Sequence, residues 1–102
     1  MGAMINEDRF GVCAIALDVA SVAANTSAEQ SFTVKGLKPG DFVHVNKPTL
    51  HAGLVVSTAR VSAADTLAIT FGNTTAGAID PAVETYLLFY FRPEKTFSAA
   101  VL

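Results

Sequence analysis

The chain has 102 residues, of which 51% are hydrophobic and only 16% charged. That length holds one hydrophobic core, and so apolar a composition has ample surface to bury against its conformational entropy, which excludes a disordered chain. Seven Lys and Arg stand against nine Asp and Glu, a net charge of −2. This argues against an electrostatic hold on nucleic acid or an anionic membrane, and a charged fraction below the usual quarter points to surface spent in a permanent protein interface.

Residues 1–10 read as an extended N-terminal segment. Asn6 stands where a myristoylation signal needs Ser or Thr. The apolar run 10–17 has the hydrophobicity of a signal peptide, yet Glu7 and Asp8 precede it where positive charge belongs, and Asp18 follows at once. No apolar run reaches the length that spans a bilayer. The run 10–17 reads as a strand instead, the first candidate strand being bounded at 13–19, and the expectation is a soluble, unprocessed chain made in the cytoplasm. Cys13, the sole cysteine, has no thiol partner and no basic neighbour to stabilise a thiolate, so it reads as a small buried hydrophobe.

Residues 20–27 are small and polar, a loop or an extended edge. From 28 to 35, Phe32 and Val34 alternate with Ser31, Thr33 and Lys35, the period of two that marks one buried and one wet face. Residues 36–41 form a turn in which Pro39 presets φ and Gly40 accepts positive φ. A strand over 41–47 ends at Pro48, and another fills 54–62. In 65–71, Leu67, Ile69 and Phe71 alternate with Thr66, Ala68 and Thr70. A long loop follows over 72–81.

The segment 84–92 breaks the pattern, because Tyr86, Leu88 and Tyr90 on one face match Leu87, Phe89 and Phe91 on the other. Both faces call for cover, which places this strand at the centre of a sheet. After Pro93 the chain ends in an apolar arm, 93–102, carrying Phe97, Val101 and Leu102. Six strands with turn punctuation and thin helix signals predict an all-β fold in one domain, a small antiparallel β-sandwich of jelly-roll-like topology. An immunoglobulin-like sandwich competes, weakened by the absence of Trp and of a cysteine pair.

Chemistry is sparse. His44 and His51 match no metal-ligand spacing. His44 reads as a satisfied structural histidine and His51 as a surface or interface contact. Asp41, Asp65 and Asp80 sit singly at turns, where such residues cap backbone N–H groups. No nucleophile elbow or phosphate loop is present. The expectation is a non-enzyme with neither metal nor cofactor. The candidate interface residues are Tyr86, Leu88, Tyr90 and Phe89, with Phe97, Val101 and Leu102 of the arm, and the turn 36–41 and loop 72–81 are further candidate contact surfaces.

The run VAANTSAEQSFTVKGL at 22–37, DFVHVNKP at 41–48, and GLVVSTARVSAADTLAITFGNTTAGAIDP at 53–81 with ETYLLFYFR after it resembles small virion proteins of tailed bacteriophages. The most specific part of the resemblance is ARVSAADTLAITFGNTTAG at 59–77. It implies an architectural role without a cofactor and does not choose the position in the particle; the first reading is a capsid cement or decoration protein, on the capsid surface, that binds the major capsid protein as a dimer or trimer. A head-fibre or tail-adaptor module is the alternative, and a small β-barrel enzyme or ligand carrier the third.

Overall fold

Alternation and turn punctuation become six strands in the computed structural model, which describes residues 10–93. In chain order they are β1 (Phe10–Leu17), β2 (Thr26–Thr33), β3 (Phe42–Asn46), β4 (Leu54–Ala63), β5 (Thr66–Asn73) and β6 (Glu84–Phe91). They form two three-stranded sheets of order β1-β6-β3 and β2-β5-β4, with every neighbouring pair antiparallel. The first strand pairs with the last and the second with the last but one. This nesting of strand pairs across two sheets is the jelly-roll-like sandwich that the sequence predicts.

Several boundaries move. Within the described residues the first strand runs from Phe10 to Leu17 and pairs residue for residue with the whole of β6. Val19 and Val22 lie beyond it but stay buried; Val22 exchanges backbone hydrogen bonds of 2.7 and 3.0 Å with Ile79. The fifth strand runs on to Asn73, taking the start of the loop 72–81 into the sheet. The arm 93–102 lies outside the described residues from Glu94 onward, and so do Phe97, Val101 and Leu102.

The core lies between the central strands of the two sheets. Leu67, Ile69 and Phe71 of β5 and Tyr86 and Leu88 of β6 are fully buried, and each such aliphatic or aromatic side chain contributes about 1.5–3 kcal/mol by leaving water. Turn chemistry holds the layers in register. At Lys38-Pro39-Gly40-Asp41 the Asp41 N–H donates to Lys38 O at 3.0 Å with Gly40 at φ 96°, the tight turn expected from Pro then Gly. Asp65, at φ 60° in the β4–β5 hairpin, accepts the Gly36 N–H at 2.8 Å through Oδ1, and its own N–H donates to Leu37 O at 2.8 Å.

Candidate functional site: an apolar outer sheet face

Strand β6 presents two apolar faces, and the second sheet covers one of them. Tyr86 and Leu88 point into the sandwich, whereas Leu87 and Phe89 remain 44% and 41% exposed. The register aligns their neighbours in rows across the outer face of β1-β6-β3. Phe10, Phe91 and Phe42 form the first row, Val12, Phe89 and His44 the second, and Ala14, Leu87 and Asn46 the third. Val12 is 65% and Phe42 59% exposed. The rings touch one another: Phe42 stacks on Phe91 at 6.0 Å between centroids, and Phe10 lies tilted against Phe89 at 6.5 Å.

A large aromatic side chain carries roughly 200 Å² of surface, so the exposed fractions leave on the order of 400 Å² of contiguous apolar area. The largest apolar patch on a typical monomer is of about that size and is often functional. None of these three rows holds a charged residue.

The outer face of β2-β5-β4 is the opposite in character. Ser27, Glu29, Ser31 and Thr33 line β2 and Thr58 and Arg60 line β4. Arg60 reaches Glu29 with two hydrogen bonds, 2.7 Å from Nε and 2.9 Å from Nη2. The pair spans β5, whose Ala68, opposite Arg60 and Ser31 in the register, is fully buried. The Arg60 hydrogen bonds lower the Glu29 pKa below the ordinary value, but the pair is solvent-exposed and contributes little to stability.

Of the residues singled out from sequence, Phe89 lies on the apolar face. Tyr86 and Leu88 are core residues and offer no surface, and Tyr90 is half-buried on the inner side, its ring over Gly11 and under the Arg92 guanidinium at 5.9 Å. His44 is an exposed member of the apolar face, in the row of Val12 and Phe89, which corrects its reading as a satisfied structural histidine. His51 is exposed in the connection after β3, beside Lys47, Thr49 and Leu50. Cys13 is half-buried and packs against the core.

The loop 72–81 is less free than its length suggests. Asn73 is buried, and its Nδ2 donates to Val22 O at 3.0 Å and Gly77 O at 2.8 Å while Oδ1 accepts the Thr75 N–H at 2.8 Å. Ile79 and Pro81 are buried as well. The turn 36–41 is likewise tied down at Asp41. Among the described residues no group of three or more His, Cys, Asp or Glu side chains is placed to hold a metal ion.

Sequence reasoning missed Phe10, Val12 and Phe42, and read Leu87 and Phe91 as an apolar face of 84–92 without naming them as contact residues. The signal was present in the even-numbered positions of 10–17 and 42–46, which put apolar or uncharged side chains on the face opposite the core. Comparison with known proteins finds no family model, no curated protein and no solved structure that matches the chain.

Proposed function

We propose that the protein is a structural component of a tailed-phage virion, a capsid cement or decoration protein that docks as a homo-oligomer on the lattice of the major capsid protein. The observation that carries this reading is the charge-free apolar outer face of β1-β6-β3, set back to back with a polar outer face on β2-β5-β4. A two-sided sandwich of this kind suits a surface subunit, with one side turned to a protein floor and the other to solvent. The resemblance of residues 22–92 to tailed-phage virion proteins supports the choice of particle. A repeating lattice engages several such faces at once, so modest apolar contacts gain strength through effective concentration.

The test is reconstitution. Heads lacking this protein are mixed with the purified chain and sedimented, and heat or dilution then challenges the shell. Binding at symmetry-related shell sites with a gain in shell stability supports the proposal. Association with the tail alone overturns the cement assignment in favour of a tail adaptor. Because the face carries no charge, binding to heads should vary little between low and moderate salt.

A further inference from the structure

Two three-stranded sheets have four edge strands, and each edge exposes backbone N–H and C=O groups that can pair with another chain. Three of the four carry features that discourage such pairing. Strand β3 is five residues long, runs into Lys47 and Pro48, and lies beside β4, so these two edges close one side of the sandwich. Strand β4 also carries Arg60 and register shifts between Val56 and Thr58 and between Val61 and Ala63. Strand β2 carries Glu29, and the Gln30 amide binds the backbone of Ala20 through hydrogen bonds of 2.8 and 2.9 Å, holding the connection from β1 against it.

Strand β1 has none of these features. Its eight residues hold no charge, no proline and no register shift, and among the described residues its only strand partner is β6. A long, straight, uncharged edge is the arrangement that recruits another strand.

We propose that β1 pairs antiparallel with β1 of a second copy about a twofold axis perpendicular to the sheet, merging the two first sheets into one of six strands. The inference deepens the oligomeric part of the function proposed above and rests on that reading only in treating the protein as an assembly unit. A second copy fits this edge because a twofold sets the strand against itself, and a strand without charge meets no like-charge repulsion there. The axis keeps both outer faces on the same side, so the apolar rows of the two copies join across the seam into a doubled docking surface.

The geometry also fixes the centre of the pairing. Directly opposite residues of an antiparallel pair share a face. Residues 10, 12, 14 and 16 lie on one face of β1 and 11, 13, 15 and 17 on the other, so only registers that set a residue against its own copy are allowed. The centred choices with the longest overlap place Cys13 opposite Cys13 or Ala14 opposite Ala14. Opposite Cα atoms in such a pair are about 4.5–5.5 Å apart, within the span of a disulfide.

The experiment uses the full chain at micromolar concentration. Sedimentation gives the mass of the wild type and of Leu87→Lys, and a thiol oxidant is applied to the wild type and to a Cys13→Ser/Ala14→Cys double variant. Edge pairing predicts a dimer in both sedimentation runs and rapid covalent dimer formation from one of the two single-cysteine chains. A monomeric wild type overturns the proposal. So does dissociation of a Leu87→Lys chain whose circular dichroism is native, because that result assigns the contact to the outer face. A dimer that crosslinks at neither position overturns it too. If the dimer forms but does not bind heads, the docking function fails while the self-pairing stands.

Discussion

Arg92 closes on Asp41 through two hydrogen bonds of 2.8 Å, Nε to Oδ1 and Nη2 to Oδ2, and the same Nη2 donates to Gly36 O at 2.8 Å. Residue 92 follows the end of β6, and Gly36 to Asp41 is the turn by which the chain passes from the second sheet to the first. One guanidinium therefore ties the turn between the sheets to the central strand of the apolar face. The Asp41 side chain is almost wholly buried and that of Arg92 a quarter exposed.

Removing the cation leaves a buried carboxylate with one remaining donor among the described residues, the Lys38 N–H at 2.9 Å. Arg92→Ala should cost roughly 3 kcal/mol, the low end for breaking a buried pair because Arg92 is partly solvated. Denaturant unfolding measures it, and a change below about 0.5 kcal/mol would refute the role given to this pair.

The same pair sets an acid limit. Burial works against the Asp41 carboxylate, but the Arg92 hydrogen bonds and the Lys38 N–H outweigh it and hold the pKa below its ordinary 3.8. A lowered folded-state pKa means that the stabilisation is present above the unfolded value and is lost as pH falls through the folded one. Wild-type melting temperature should drop below about pH 4, and Asp41→Asn, less stable at neutral pH, should show a shallower acid decline. Parallel curves for the two proteins would refute the assignment.

Gly53 sits at φ 86°, where its carbonyl accepts the Thr74 N–H at 2.9 Å, and a Cβ there would run into the Thr75 Cγ2 methyl. Gly53→Ala therefore meets both a disfavoured backbone conformation and a clash within a loop that Asn73 already pins. A loss of about 2 kcal/mol is expected, whereas Gly36→Ala, at φ 101° with open space around it, should cost closer to 1 kcal/mol. Comparing the two unfolding curves separates the steric contribution from the backbone one.

Much of the fold was legible because its signals are local. Alternation in 65–71, the Pro-Gly turn at 39–40 and the double-sided strand 84–92, less its last residue, survive in the structure, while the strand read over 28–35 lies two residues earlier, at Thr26–Thr33. The face that faces solvent was not legible. Tyr86, Leu88 and Tyr90 are no more apolar than Leu87, Phe89 and Phe91, and the choice between them comes from the distant Leu67, Ile69 and Phe71, which pack against the first set. The bounds 13–19 for the first strand leave out the start of the apolar run 10–17, which also read as a strand. In the sheet Gly11 lies under the Tyr90 ring, whose Cε1 would stand 3.1 Å from an added Cβ, and the strand continues back from Cys13 through Val12 and Gly11 to Phe10.

Among the described residues the buried Tyr86 hydroxyl has no hydrogen-bond partner. Burial, with a smaller contribution from the charge of Glu84, has its pKa pushed up to about 12. The raised value means stability is fully present below pH 10, the ordinary tyrosine value, and is lost as pH climbs toward 12. Tyr86→Phe should match or exceed wild-type stability at pH 7, by up to about 1 kcal/mol, since it removes an unsatisfied polar group at little cost in volume. It should also lose part of the alkaline decline, and thermal melts at pH 7 and pH 10.5 test both halves of the expectation.

Leu88 and Phe89 are adjacent in sequence and opposite in fate, which makes them the sharpest test of the two-faced strand. Leu88 is fully buried between the sheets, opposite Cys13 and Val45, while Phe89 stands on the outer face between Val12 and His44. An aspartate at 88 places an unpaired charge in the core and should cost several kcal/mol, enough to unfold a small domain. An aspartate at 89 keeps its charge in water and removes only an exposed ring, so Phe89→Asp should fold with a native spectrum and lose no more than about 1 kcal/mol. What it should lose is adhesion, because the charge sits amid the apolar rows and must be desolvated whenever that face is covered. Phe89→Asp is therefore expected to fail in binding heads while remaining folded, and Leu88→Asp to be recovered unfolded or not at all. If Phe89→Asp binds like the wild type, the outer face of the first sheet is not the docking surface.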